Sequence, residues 1–232
     1  MRADAYHSAV GPWTNPCGGT RWRNLDDGAV EVEGAGVPLY EPGHARHDIV
    51  LGTWENWGCL LADAAKRYDL PPSWLVGIAS VETGPWWESA ADQAEAVSYA
   101  GARGIMQIMP PTARLLDYDP DQMFDPELNI DAGAKLIARI GKGVTSGLPA
   151  ICGAYNSGKV CCDDPRGCRP GCENQYRVCT DGDYPGAAIR YNNTAVAYLD
   201  LAPCRGVGLA GIATVGLFGV GAWGFYQWWA RR

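Results

Sequence analysis

Thr53-Trp54-Glu55-Asn56-Trp57-Gly58-Cys59-Leu60-Leu61-Ala62-Asp63-Ala64-Ala65-Lys66-Arg67-Tyr68, followed after Asp69-Leu70 by Pro71-Pro72-Ser73-Trp74-Leu75-Val76-Gly77-Ile78-Ala79-Ser80-Val81-Glu82, is the stretch that decides the fold class. In its first half Trp54, Trp57, Leu60, Leu61, Ala64, Ala65 and Tyr68 recur at spacings of three and four, the period of one buried helix face. Pro71-Pro72 ends that helix. Ser73 is expected to cap a second one, running from Trp74 to Val81 or Glu82 and closed by Gly84-Pro85. Further on, Asp125-Pro126 pairs a capping side chain with a proline at the first helical position, and predicts a helix through Asn129 to Ile140 before Gly141. Another helix fits residues 148–155. Clear runs with period two are missing. The body, about residues 46–204, reads as a mostly α domain with long loops.

Composition sets the outer bounds. A chain of 232 residues suffices for one well-buried domain with extensions. Its 47% apolar and 19% charged residues exclude an intrinsically disordered chain. Residues 1–204 hold 16 basic against 26 acidic side chains. That balance argues against nucleic acid as a partner, which needs clustered Lys and Arg, and against electrostatic attraction to anionic lipid. Residues 1–45 are rich in Gly and Pro without sustained periodicity, and read as an extended arm held by Cys17 or by a partner. Of the nine cysteines, Cys161, Cys162, Cys168, Cys172 and Cys179 crowd together. Disulfides are the favoured reading, because paired C-x-x-C knuckles are absent; a structural zinc site and reduced bystander thiols are the alternatives. The stretch 161–179 is expected to be stapled internally. The odd count leaves at least one cysteine without an internal partner.

The two ends differ. Residues 1–8 lack an apolar run, so no signal peptide is expected there. Residues 206–230 carry only Thr214 and Gln227 as clearly polar side chains, between Arg205 and Arg231-Arg232. As a helix they would extend about 37 Å, more than the ~30 Å hydrocarbon core. Trp223, Tyr226, Trp228 and Trp229 cluster where an interfacial aromatic belt would sit. A C-terminal transmembrane helix, residues 205–232, is the expectation, and a buried core helix the alternative. The G-x-G-x-x-G match at 206–211 is discounted, since no acidic residue or βαβ unit can follow it. His44 and His47 are read as part of a polar loop, and the sequon Asn192-Asn193-Thr194 is discounted.

Glu82 ends the apolar helix, where desolvation should raise the pKa of a carboxyl and suit it to general acid work. Taken alone, a glutamate at a helix end is usually a solvated charge. Three further blocks change its weight: 98–113 (Ser-Tyr-Ala-Gly-Ala-Arg-Gly-Ile-Met-Gln-Ile-Met-Pro-Pro-Thr-Ala), Asp125-Pro126-Glu127-Leu128-Asn129-Ile130, and Ala154-Tyr155-Asn156-Ser157-Gly158. Together, over about residues 55–200, they resemble the lytic transglycosylase domain of the soluble-transglycosylase type, a relative of goose-type lysozyme. The resemblance implies a lysozyme-like, mostly α fold. It makes Glu82 the single catalytic acid/base and gives Ser98, Met106, Gln107, Tyr155, Asn156 and Tyr191 to the saccharide groove. Tyr191 is identified with the tyrosine that hydrogen-bonds the catalytic carboxyl. The implied reaction cleaves the β-1,4 bond between N-acetylmuramic acid and N-acetylglucosamine in peptidoglycan and closes a 1,6-anhydro ring, with no cofactor or metal. Thr83 replaces the usual Ser, Pro85-Trp86-Trp87 replaces a shorter segment, and 159–182 is an insertion. With no signal peptide and the catalytic block ahead of the apolar segment, the expectation is a membrane-anchored enzyme facing the wall, associated with bacteriophage virions and virion proteins. A lysozyme-like hydrolase and a structural virion or channel protein with a docking domain are the alternatives.

Overall fold

The computed structural model describes residues 11–84, 89–143, 146–161, 174–180 and 182–202. The described residues form a helical body with one small hairpin. Helix α1 spans Ala45–Arg67, α2 Pro72–Thr83, α3 Ala90–Ala94, α4 Pro110–Leu115, α5 Pro126–Gly141, α6 Leu148–Ser157 and α7 Tyr184–Tyr198. The apolar helix α2 packs against α1 and, most extensively, against α7. Its Leu75, Val76, Ile78 and Ala79 are fully buried. Gly77 permits the closest approach: a Cβ there would lie 3.0 Å from the Ala188 carbonyl and 3.2 Å from Asn192 of α7.

Helix starts follow local chemistry. Asp125 caps α5 through its Oδ1, which accepts from Leu128 N at 3.0 Å, with Pro126 at the first position as expected. Helix α2 begins two residues earlier than the capping reading, at Pro72 and not Trp74; Ser73 lies inside it and its hydroxyl caps nothing. Helix α1 also begins earlier, at Ala45, with His44 Nδ1 accepting from Arg46 N. His44 and His47 therefore belong to a helix start, not a polar loop, and His47 is buried with its ring against Tyr198.

The N-terminal segment, expected as an extended arm held by Cys17 or by a partner, is tied to the body through Cys17 and from residue 11 onward also by pairing and burial of its own. Strands β1 (Trp22–Asn24) and β2 (Val30–Val32) pair antiparallel and put Trp22, Val30 and Val32 into the core. The Trp22 indole N–H donates to the Ser146 carbonyl. Asn193 of α7, fully buried, grips β2: its Oδ1 accepts from Val30 N and its Nδ2 donates to the carbonyls of Val30 and Pro38, all at 2.8 Å. Asn192 is also fully buried, so the sequon sits in the core and offers no accessible acceptor. Cys17 forms a disulfide with Cys161, 144 residues away in sequence. This corrects the expectation for 161–179: Cys161 is bonded outward to the N-terminal segment, not within its own loop. Cys59 is disulfide-bonded too.

Cys162, Cys168 and Cys172, the Trp86-Trp87 pair and the apolar stretch 206–230 lie outside the described residues. Among the described residues, no helix is long and apolar enough to cross a membrane, and no cluster of His, Cys, Asp and Glu could hold a metal ion.

Candidate active site

Glu82 sits in the last turn of α2, and three elements close around it. From α7 the Tyr184 hydroxyl donates to Glu82 Oε1 at 2.5 Å. From α6, Cys152 and Tyr155 lie three residues apart on one helix face, and burial first, then the Glu82 carboxylate, pushes both of their pKa values up. The third element is the loop 96–109. Its Ile105 carbonyl meets the Thr83 hydroxyl at 3.2 Å, and its Met106 carbonyl accepts from the Tyr155 hydroxyl at 2.7 Å.

Electrostatics follow from that enclosure. Burial raises the Glu82 pKa to about 7, and the Tyr184 hydroxyl, which favours the carboxylate, offsets part of the rise. Glu82 nonetheless keeps a partial opening to solvent. Burial first, and then Glu82, holds Tyr155 and Tyr184 well above the usual phenol range, so both remain neutral donors. The same two causes keep the Cys152 thiol protonated and unreactive. The result is one carboxyl able to give and take a proton near neutrality. Among the described residues, no second carboxylate acts on its titration.

The loop is built to hold its shape. Arg103 and Ile108 exchange backbone hydrogen bonds at 3.1 and 2.9 Å. Gly104 has φ +69, and a Cβ there would meet the Met123 carbonyl at 2.4 Å and Asn129 Nδ2 at 2.5 Å, so only glycine fits. Asn129, fully buried on α5, accepts from Met106 N at 2.7 Å and donates to the Arg103 and Met123 carbonyls at 2.9 Å. Gln107 is held at φ +48, an uncommon region for a side-chain-bearing residue. Its Nε2 donates to the Gly104 carbonyl at 2.8 Å and the Ala96 carbonyl at 3.3 Å.

These positions sort the residues expected in the groove. Glu82 and Tyr155 come together, Gln107 stands partly exposed on the same loop as Met106, and Asn156 is exposed one residue past Tyr155. Ser98 closes the tight turn 98–102, its Oγ accepting from Ala102 N at 3.0 Å. Met106 is a correction: its side chain is fully buried, facing Gly133 of α5, and only its backbone serves the site. Tyr191 is another. It is buried, packs on Tyr40 with ring centroids 5.0 Å apart, and lies with its hydroxyl beside Gly84. Tyr184, seven residues earlier on the same face of α7, is the tyrosine that reaches the carboxyl. Tyr184 and Cys152 lie outside the motif blocks, and Asn129 lies inside one without any sign of the loop contacts it makes. Tyr184-Pro185 does carry a helix-start signal, with proline next to the first position, and that signal could have located α7.

Residues 60–169 match the profile described as the transglycosylase SLT domain. Membrane-bound lytic murein transglycosylase C of Actinobacillus pleuropneumoniae serotype 5b is 35% identical over 115 residues, which cover 43% of this chain and 30% of that protein. The protein of the same description from Haemophilus ducreyi is 34% identical over 115 residues, covering 43% and 29%. The chain thus spans under a third of the length of these relatives. Among solved structures, an inactive mutant of lytic transglycosylase Slt from Pseudomonas aeruginosa aligns with a TM-score of 0.43 and 23% identity, over 60% of this chain and 23% of that one.

Proposed function

We propose that this chain is a peptidoglycan lytic transglycosylase with Glu82 as its only acid/base. The observation that carries the reading is a single enclosed carboxyl, raised to about 7 and hydrogen-bonded by Tyr184, inside a segment matching the transglycosylase SLT domain. An ordinary glycosidase divides its work between two carboxyls. Here one group can do both halves. Protonated Glu82 donates to the glycosidic oxygen as an oxocarbenium-like state develops at the muramic acid. The Tyr184 hydroxyl stabilises the carboxylate that results. That carboxylate then takes the proton of the sugar's own 6-hydroxyl, whose oxygen closes the 1,6-anhydro ring. Tyr155 braces the opposite side through the Met106 carbonyl, and Gln107, Ser98 and Asn156 are assigned to the glycan groove.

The catalytic unit in this proposal includes the N-terminal segment, since β1, β2 and the Cys17–Cys161 bond are built into the core that carries α7. The composition of 206–230 supports a membrane anchor that would hold the unit against the wall. A virion-associated role in phage entry is a narrower form of the same reading, suggested by the catalytic unit preceding that apolar segment.

Mass spectrometry of the muropeptides released from purified peptidoglycan tests the reaction. Anhydro-muramoyl ends, each lighter by one water than a hydrolysed end, are expected. Reducing ends alone would identify a hydrolase, and no release at all would leave a docking domain. The pH dependence follows from Glu82. Proton donation requires its neutral form, so the rate should be sustained below about pH 7 and fall as pH rises through that value. A profile flat from pH 6 to 9 would contradict this role.

A further inference from the structure

Gln93, on α3, is fully buried and uses both ends of its amide. Its Oε1 accepts from Asn56 Nδ2 at 2.9 Å and from the Trp57 indole N–H at 2.8 Å, both on α1. Its Nε2 donates to Thr83 Oγ1 at 3.4 Å. Thr83, fully buried and next in sequence to Glu82, has one hydroxyl proton to give and two carbonyls facing it at 3.2 Å, those of Ala79 and Ile105. With the Gln93 amide on its acceptor side, that proton is directed to these carbonyls. Ile105 precedes Met106, whose carbonyl holds the Tyr155 hydroxyl.

We propose that Gln93 is a positioning residue for Glu82, fixing the end of α2 against α1 and against the 105–106 loop through Thr83. The inference rests on the reading of Glu82 as the acid/base. Packing alone does not call for an amide at a fully buried position, where its desolvation must be repaid by hydrogen bonds. Here the bonds join the elements on either side of the carboxyl-bearing residue.

The test combines three readouts on the full chain. Gln93→Met keeps an unbranched side chain of similar length and removes both polar groups; Thr83→Val removes the hydroxyl, and Thr83→Ser retains it. Turnover is measured on solubilised glycan strands, unfolding by circular dichroism, and the Glu82 carboxyl by NMR titration of Glu-labelled protein. The groups that face Glu82, Tyr184 from α7 and Tyr155 and Cys152 from α6, stay neutral near pH 7, so the titration reports the carboxyl's own surroundings.

Gln93→Met and Thr83→Val should each lower kcat by about 10- to 100-fold, as small misplacements of a catalytic group do. KM should hold within about twofold. The double variant should be no slower than the worse single one, and Thr83→Ser should restore most of the rate. The Glu82 titration should move down as the carboxyl loosens toward water. An unmoved titration, or a loss confined to thermal stability with kcat intact, overturns the proposal. If the wild type cleaves no glycan, the acid/base reading fails, and the titration alone then decides: a shift upholds the positioning role and its absence ends it.

Discussion

Glu82→Gln should reduce peptidoglycan clearance by at least about 10²–10⁴-fold, the usual worth of general acid–base catalysis, because bond cleavage and ring closure would lose the same proton carrier. The amide keeps the size of the carboxyl and can still accept from the Tyr184 hydroxyl, so circular dichroism should be unchanged. Glu95→Gln, at an exposed position, is the control and should retain nearly full activity. The variant also tests the electrostatics. The folded carboxyl is raised from 4.5 to about 7, so the native state binds its proton more tightly than the unfolded chain does. Stability from this group is therefore complete below about pH 4.5 and is lost as pH rises through about 7. Glutamine does not titrate. Melting temperatures compared at pH 4 and pH 8 should show the wild type losing more stability over that interval than the variant. Equal losses would mean that Glu82 is not desolvated as described, and near-normal clearance would remove it from the chemistry.

The largest stability effect is expected from the bond between the N-terminal segment and the chain leading to α7. Closing a loop of 144 residues, the Cys17–Cys161 disulfide restricts the unfolded chain strongly, by about 4–5 kcal/mol on the chain-entropy account. Replacing both cysteines with serine should lower the melting temperature by roughly 10 °C, at about 2–4 °C per kcal/mol for a domain of this size. Trp22 also packs edge-on against Tyr176 on this side, and polar ties add to that contact. Asn15 Nδ2 donates to the carbonyls of Thr20 and Tyr176, and Thr20 N donates to the Gln175 carbonyl at 2.8 Å. Since the segment from Cys161 onward joins the helix of Tyr155 to the helix of Tyr184, the serine variant should lose activity at a lower temperature than the wild type. Denaturant unfolding with and without reductant measures the effect. A midpoint insensitive to both reductant and substitution would show that the hairpin and Asn193 suffice without the bond.

The elements most legible in the sequence are those whose signals are local. Helices α2, α5 and α6 follow from apolar period, a capping aspartate and proline at the first turn, interactions that span four residues or fewer. The acid at the end of an apolar helix was legible for the same reason, because desolvation by its own helix and its packing partners raises the pKa. Three features were not. Helix α7 repeats Tyr184, Ala188, Tyr191 and Ala195 at spacings of four and three, but Asn192, Asn193 and Thr194 interrupt that pattern with polar side chains that are buried because they serve the backbone of Gly28, β2 and Tyr40 more than 150 residues away in sequence. Residues 11–44 look like an arm because their strands are only three residues long and their burial depends on α7. Met106 looks like a groove residue because its motif fixes an identity without fixing which way the side chain points.

The sequence by itself thus determined a mostly α body and the apolar helix that carries Glu82; the role proposed for that carboxyl rests on the resemblance of the motif blocks around it. Tertiary structure decided the rest: that Tyr184 and not Tyr191 holds the carboxyl, that Cys161 reaches to Cys17, and that Asn129 and Gln93 brace the loop and the helix end. Caps and periodicities are energies between near neighbours and can be read along the chain. Which of two tyrosines on one face of α7 meets Glu82 depends on where that helix crosses α2, and the crossing is set by the close approach at Gly77, a contact between residues more than a hundred positions apart.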